Sequence, residues 1–198
     1  MNDFLPKGYE TPEIPSSCMD FEEGLNSFRI VSSAIVGYKW WTDNGGVRKP
    51  VRVRTEDEVP AEVKNTLDSR QKARHFWAFV VYNYKTKSIQ VLEIKQQTIM
   101  RALEAFINNP KWGNPKNYDI VIEKTRYGSR ERDVEYSVIP EPPAQLDPGI
   151  AELVRQVPVR LDALYDGGNP FAESDGQEKS QNGKAQFVKR TMRAQAVL

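Results

Sequence analysis

The segment 73–94, with the sequence ARHFWAFVVYNYKTKSIQVLEI, constrains the fold more than any other part of the chain. Its β-branched and aromatic residues predict two adjacent strands, 75–84 and 88–94, joined by a short polar turn at 85–87. Aromatic residues occupy odd and even positions of the first strand, so their side chains lie on both faces of the pleat. One face can therefore fill a core while the other presents flat rings at a surface.

The 198-residue chain has a formal net charge of +1, but its charges are unevenly distributed. Residues 1–25 hold six acids against one lysine, whereas residues 26–165 carry a net charge of +5. This asymmetry indicates an anionic partner for the central part of the chain. The single cysteine, Cys18, and the single histidine, His75, exclude an internal disulfide and a Cys/His zinc cluster.

Three regions follow from the pattern along the chain. The proline-rich, acidic residues 1–25 lack periodicity and are interpreted as an extended arm. Residues 26–166 are interpreted as the folded domain, and residues 167–198, rich in Ser, Gln, Asn, Gly and Lys, as a disordered tail. Within the domain we expect a first strand at 26–41 bent at Ser32–Ser33, further strands at 47–54, 118–125 and 134–139, and helices at 98–108 and 147–165.

The expected fold is mainly β with helices. A helix between the third and fourth strands of a five-stranded chain is the order of the OB-fold, so we expect a closed β-barrel with an N-terminal arm and a C-terminal helical segment. The N-terminus lacks an apolar signal segment, and no run is long enough to cross a bilayer. We therefore expect a cytoplasmic protein without a membrane partner.

The acidic residues do not form a recognisable catalytic pattern. His75 has no nucleophile or second histidine near it in the sequence pattern, so we interpret it as a surface histidine. Asp119 and Glu123 lie four apart on one strand face, too far apart to share a proton. We expect no enzyme activity, no cofactor and no metal.

Aromatic and basic residues are the candidates for binding. Trp40 and Trp41 are neighbours on a strand, so one faces a core and the other is available to stack on a base; the pattern does not say which. Trp77 fits a core position and a stacking position equally well. Arg48, Arg52 and Arg54 share one strand face, with Lys49 on the other, which suits either a phosphate track or an ordinary solvated surface. The full candidate set is Trp40, Trp41, Arg48, Lys49, Arg52, Arg54, Arg74, Trp77, Tyr82, Tyr84, Arg126, Tyr127 and Arg130.

Six blocks in this chain resemble, in the same order, those of the single-stranded DNA-binding proteins of tailed phages. They are GYETP (8–12), EGLNSFRIVSSAIVGYKWWT (23–42), HFWAFVVYNY (75–84), IQVLEIKQQTI (89–99), YDIVIEKTRYG (118–128) and YSVIPEPP (136–143). The resemblance implies an OB-fold that binds unpaired DNA. Two features depart from the family: its members usually end in an acidic tail that docks partner proteins, whereas this chain ends in QFVKRTMRAQAVL, and some carry a structural zinc that this chain cannot hold.

Together these observations predict a non-enzymatic protein that binds single-stranded DNA with little sequence preference during phage replication or recombination, in the host cytoplasm. A basic groove would follow the phosphates and exposed rings would stack on bases. The tail would dock replication or recombination proteins, or a neighbouring copy on DNA. Two alternatives stay open: an adaptor protein on a small β-barrel whose aromatics are core, and an RNA-binding OB module.

Overall fold

The structure is a computed structural model that describes residues 16–68, 71–130 and 133–171. Most of the expected arm and almost all of the expected tail lie outside the described residues. None of the described helices is long and apolar enough to cross a membrane.

Strands dominate the described part of the chain. The α-helices are α1 (Ala61–Lys64), α2 (Gln97–Ile107) and α3 (Pro148–Gln156), and short 3-10 helices occur at Glu56–Glu58, Pro115–Asn117 and Leu161–Leu164. The strands are β1 (Cys18–Met19), β2 (Gly24–Ile30), β3 (Ile35–Asn44), β4 (Val47–Val53), β5 (Arg74–Asn83), β6 (Ser88–Ile94), β7 (Asp119–Arg126) and β8 (Val134–Pro140).

The strands form one sheet with a fork in it. Its main path runs β1-β6-β5-β2-β7-β8, and β3 also pairs with β5 and carries β4 on its other side. One edge of β5 is divided, because residues 81–83 pair with β2 and residues 74–78 pair with β3. Between them the chain bends at residues 31–34, where Val31 donates to the Val80 carbonyl and the Val80 amide donates to Ser32 Oγ.

The expected five-stranded OB-fold barrel is wrong. The described chain forms an open, mixed eight-stranded sheet in an α/β arrangement. The predicted first strand is two strands, β2 and β3, which diverge at the bend, and α2 lies between β6 and β7. A barrel closes only when its outer strands pair, but among the described residues β8 pairs only with β7 and β4 only with β3.

Local predictions were more successful. The strands expected at 75–84 and 88–94 are β5 and β6, and the helix expected at 98–108 is α2. The helix expected at 147–165 is shorter. It begins after Asp147, whose side chain accepts hydrogen bonds from the amides of Gly149 and Ile150, and it ends at Gln156. Pro158 disfavours a helical conformation at Val157, so the chain resumes only as the 3-10 helix Leu161–Leu164.

Alternation along the strands places a separate core on each face of the sheet. The α2 face holds Phe28, Phe79, Leu92 and Ile120, which pack with Leu103 and other side chains of α2. The α3 face, defined by the opposite side chains of β5 and β6, holds a smaller core. Its members include Phe76, Ala78, Val80, Val91, Leu161 and Leu164, with Leu153 and Val154 of α3 packed against them.

Residues 16–25, which the sequence analysis assigned to the arm, include β1 and the beginning of β2. β1 pairs in parallel with β6, where Cys18 lies opposite Val91 and Met19 opposite Leu92. Met19 is 5% exposed and belongs to the core on the α2 face. This part of the segment therefore contributes to the fold.

We expect Met19→Ala to lower the free energy of unfolding by about 2–5 kcal/mol, because it leaves a cavity in the core. Leu25→Ala is the control, since Leu25 is 70% exposed and its truncation should change stability by no more than about 0.5 kcal/mol. Urea unfolding of both variants measures the difference. Equal stability of the two would contradict the assignment of residues 18–19 to the core.

Candidate nucleic-acid interface

The two adjacent tryptophans of β3 have opposite environments. Trp40 is 6% exposed, whereas Trp41 is 38% exposed. Their side chains point to opposite faces, with Trp40 opposite Val51 of β4 and Trp41 opposite Pro50. Register along β3 and β5 places Trp41 on the α3 face of the sheet, beyond the part that α3 covers. The exposed ring of the pair is therefore that of Trp41.

Cations flank the Trp41 ring. Lys39 Nζ lies 5.2 Å from the ring centroid, and the guanidinium carbon of Arg48 lies 5.5 Å from it. These distances are typical of cation–π contacts, in which a cation lies over the face of the ring. Arg48 is exposed, and it lies opposite Asp43 across the hairpin. Asp43 also accepts a hydrogen bond from the Gly46 amide at 2.9 Å, which holds the turn between β3 and β4.

The hairpin turn depends on its two glycines. Gly45 and Gly46 have φ angles of +66° and +86°. L-residues with a side chain rarely adopt this conformation, whereas glycine does so at no steric cost. The Asp43–Gly46 turn signal in the sequence therefore produces the tight hairpin that carries Trp41 and Arg48.

One partly buried carboxylate, that of Glu93, organises the cations next to Trp41. Glu93 Oε1 accepts from Lys39 Nζ at 2.6 Å, and Oε2 accepts from Arg52 Nε at 2.9 Å. Lys95 Nζ lies 3.6 Å from Glu93 Oε1. Burial alone would raise the pKa of Glu93, but the hydrogen bond from Lys39 and the charge of Arg52 outweigh it and lower the pKa. Burial is the main cause of the lowered pKa of Lys39; the charges of Arg52 and Lys95 lower it further, and the hydrogen bond to Glu93 opposes them.

These residues, together with Arg74, form a surface that we name the Trp41 platform. Arg74 is exposed and lies opposite Lys39 in the β3–β5 pairing. The platform includes five cations and two carboxylates, those of Glu93 and Asp43, so its own residues carry a net positive charge although the whole chain is nearly neutral. Its members are Lys39, Trp41, Asp43, Arg48, Arg52, Arg74, Glu93 and Lys95.

The basic run of β4 serves several roles. Register places Arg48 and Arg52 on one face and Lys49 on the other, as the alternation predicted. Arg52 is committed to Glu93. Arg54 lies 4.1 Å above the Tyr165 ring and pairs with Asp162 at 3.2 Å, so it holds the C-terminal segment against the sheet. Arg48 and Lys49 are therefore the exposed cations of this run that make no ion pair with another described residue.

The other aromatic candidates on β5 are held in the fold. Trp77 is half-buried on the α2 face, where it packs against the core. Tyr82 and Tyr84 make an edge-on ring contact at 5.2 Å at the far end of β5. The Tyr84 hydroxyl donates to Asp119 at 2.8 Å, and burial together with this carboxylate raises the pKa of Tyr84 to about 12. Asp119 also pairs with the buried Arg29.

The turn between β7 and β8 lies away from the platform. Its Tyr127 is 70% exposed, and Arg126 Nη1 donates to the Arg130 carbonyl at 3.3 Å. The end of β7 at Lys124 pairs with the start of β2, beyond the Asn83 end of β5, whereas the platform lies at the Arg74 end. The structure therefore brings together Trp41, Arg48, Arg52 and Arg74 but separates them from Arg126, Tyr127, Arg130, Tyr82 and Tyr84.

Besides the turn residue Asp43, sequence reasoning missed three members of the platform. Lys39 precedes Trp41 by two positions on the same strand, and this spacing alone puts both on one face. Glu93 lies in β6 and Lys95 directly follows it, and only the pairing of β5 with both β6 and β3 brings them to the hairpin. The signal for Lys39 was available in the sequence, whereas the signal for the other two was not.

The described residues 16–68, 71–130 and 133–171 contain no group of three or more His, Cys, Asp or Glu side chains placed to hold a metal ion. His75 makes an edge-on contact with the Tyr38 ring at 5.3 Å. Comparison of the sequence with protein-family models and with curated proteins finds no match.

We expect Glu93→Gln to destabilise the protein by about 1.5–3 kcal/mol at pH 7, because it removes charge-assisted hydrogen bonds from two cations that are largely buried. Since folding lowers the pKa of Glu93, its contribution is present above the unfolded-state value near 4.5 and is lost as the pH falls through the folded-state value. The stability difference between the wild type and the variant, measured by urea unfolding from pH 7 to pH 3, should therefore shrink with acidification. A difference independent of pH would contradict the ionised role of Glu93.

Proposed function

We propose that the protein binds single-stranded DNA with little sequence preference, and that the Trp41 platform is the contact surface. One observation carries the proposal. The Trp41 ring is exposed at the surface with Lys39 Nζ and the Arg48 guanidinium each within 5.5 Å of its centroid. An unpaired base can stack on such a ring when its flanking phosphates bind the cations that otherwise lie over the ring.

The chemistry of the platform favours tolerance of sequence. Every base offers a face for stacking, so a contact of this kind does not select among bases. The cations add attraction to phosphates, which carry no sequence information. A base in a duplex is already stacked and paired, so a duplex can offer the platform only its phosphates.

The resemblance to tailed-phage single-stranded DNA-binding proteins supports the same proposal. It suggests a role in phage DNA replication or recombination inside the host cell, with no catalysis by the protein itself. The open sheet departs from the barrel that the resemblance implied, so the support comes from the surface residues and not from the fold. Block 23–42 of the resemblance includes Lys39 and Trp41, and block 89–99 includes Glu93 and Lys95.

The β7–β8 turn supplies a proposed second contact for longer strands. Arg126 and Arg130 are exposed, and Tyr127 is 70% exposed, compared with 38% for Trp41. β5 spans 10 residues, so the turn and the Trp41 ring lie toward opposite ends of a strand roughly 30 Å long. An oligonucleotide of a few residues would reach only one of the two surfaces.

The protein should bind oligothymidylate and mixed-sequence single strands with similar affinity, and duplex DNA much more weakly, because only unpaired bases can stack. Fluorescence anisotropy with labelled oligonucleotides at matched salt measures all three affinities. Equal binding of duplex and single strand would exclude the proposal. Stronger binding of RNA would assign the platform to RNA, and no binding of any nucleic acid would favour an adaptor protein.

Trp41→Ala should weaken binding of a short single strand by about 1–3 kcal/mol, since it removes one stacking surface. Trp41→Phe, which keeps a smaller ring, should lose less. Tryptophan fluorescence quenching should also decrease in both variants. Unchanged affinity of Trp41→Ala, with its melting temperature also unchanged, would show that the ring is not part of the interface.

Replacing Arg48 and Lys49 together with Ala should reduce the slope of log affinity against log salt by roughly 0.7 for each phosphate contact that is lost. Neither side chain is committed to a described ion pair, so the fold should be unaffected. Arg101→Ala is the matched control, because Arg101 is an exposed arginine on α2 outside the platform. An equal loss of slope in the control would indicate general charge attraction instead of a defined contact.

A further inference from the structure

A concave site lies at the fork of the sheet, on the face opposite to the Trp41 platform. A cavity of about 260 Å³ opens there between the bend at 31–34, the end of α2 and the 3-10 helix Pro115–Asn117. We name it the Trp77 cavity, after the side chain that joins it to the core. The lining residues that matter for its chemistry are Ser33, Trp77, Leu103, Ile107, Asn114 and Lys116.

The walls of the Trp77 cavity are apolar and one of them is a flat ring. Trp77 packs against the core on the α2 face and also lines the cavity, so its indole is a supported wall. Leu103 is buried, whereas Ile107 is 43% exposed and lies at the mouth. Val36, directly opposite Trp77 in the β3–β5 pairing, is 48% exposed. Aliphatic side chains and an indole that remain accessible to solvent favour a flat, apolar ligand.

The rim of the cavity is polar and positively charged. Asn114 Oδ1 accepts from the Lys116 amide at 3.0 Å, which leaves the Asn114 side-chain amide as a donor. Lys116 is exposed, and among the described residues its ammonium makes no ion pair within 4.0 Å. Ser33 adds a hydroxyl. These groups are suited to the carbonyl oxygens on the edge of a ligand and to an anion attached to it.

The loop that carries this rim is held in place before any ligand binds. Buried Arg29 donates from Nη1 to the Lys116 carbonyl at 3.1 Å and also to the Ala144 carbonyl at 3.1 Å. The Ala144 amide in turn donates to the Asn117 carbonyl at 2.9 Å. A polar rim on an anchored loop costs little ordering entropy when it binds.

We propose that the Trp77 cavity accepts a single unpaired nucleobase, with its ring against Trp77 and its 5′ or 3′ phosphate near Lys116. Ligand pockets generally exceed about 300 Å³, so a cavity of about 260 Å³ suits one base and not a whole dinucleotide. This inference rests on the proposed function, because it assigns a second subsite to the same single strand.

The two subsites are on opposite faces of the sheet but are not far apart along the chain. Val36, opposite Trp77, lies five positions before Trp41 on β3, which is about 17 Å along the strand. Exposed cations occur on both faces of the β3–β4 hairpin next to Trp41, Arg48 on one face and Lys49 on the other. A strand of several nucleotides that wraps this edge can therefore occupy both subsites.

The test compares a single-stranded oligothymidylate with an oligonucleotide of equal length whose sites are abasic. Trp77→Leu removes the flat wall but keeps an apolar side chain. It should weaken binding of oligothymidylate at least about fivefold and leave binding of the abasic strand unchanged. Ile107→Gln, at the exposed mouth, should act in the same direction to a smaller extent. Lys116→Ala should weaken both ligands alike, whereas Lys64→Ala, an exposed lysine on α1, should affect neither.

The outcomes separate this inference from the proposed function. If Trp41→Ala weakens binding but Trp77→Leu and Ile107→Gln leave the thymidylate-to-abasic ratio unchanged, the platform binds DNA and the cavity does not. If the wild type binds neither ligand, both proposals are wrong. Melting curves check that each variant folds, and if Trp77→Leu does not fold, the thymidylate-to-abasic ratio for Ile107→Gln decides the matter.

Discussion

The divided edge of β5 is the constraint on which the rest of the structure depends. A strand edge offers one row of amide and carbonyl groups, and here β2 takes the residues at 81–83 while β3 takes those at 74–78. The chain can change partners only by bending. Two hydrogen bonds hold the bend: the Val31 amide donates to the Val80 carbonyl, and the Val80 amide donates to Ser32 Oγ. On one side of the fork β2 pairs with β7, and β7 pairs with β8. On the other side β3 diverges from them and pairs with β4. The fork therefore keeps the sheet open and separates the displayed hairpin from the main sheet.

Each apolar face of the open sheet is covered by a helical segment, and side chains of the sheet that lie beyond these segments stay exposed. These two segments are called the covers. α2 closes one face over Phe79 and Leu92, and the segment from α3 to Leu164 closes the middle of the other. Neither cover extends over the Trp41 side of the β3–β4 hairpin. Ion pairs lie at the borders of the two cores: Arg29 pairs with Asp119 at one end, and Glu93 pairs with Lys39 and Arg52 at the other. Breaking such a pair leaves an uncompensated charge, so each border is strongly specified.

The sequence predicted the helices and strands whose patterns depend on neighbouring residues. It did not predict strand pairing or side-chain exposure, which depend on residues far apart in the chain. β5, β6 and α2 were predicted because their patterns are contained within each segment. Barrel closure was predicted wrongly, since closure depends on whether strands far apart in sequence pair. Alternation showed that one of Trp40 and Trp41 is exposed but not which one, because that depends on the covering of each face. Arg48, Arg52 and Arg54 look alike in the sequence, yet Glu93 and Asp162, 41 and 108 positions from their partners, commit Arg52 and Arg54 to the fold.

The Glu93 carboxylate explains how a positive surface can be rigid before it meets an anion. Lysine and arginine side chains in water lose rotamer freedom when they bind, which costs roughly 0.5–1.5 kcal/mol for each one. Lys39 and Arg52 have already lost that freedom, because Glu93 holds both through hydrogen bonds formed on folding. One carboxylate cannot neutralise the three cations around it, so the site keeps a positive charge after this ordering. Lys39 in turn holds the Trp41 ring from one side while Arg48 lies on it. An anionic ligand with a flat ring would therefore meet a surface whose charge and orientation were set by folding, at the hairpin that the fork keeps apart from the main sheet.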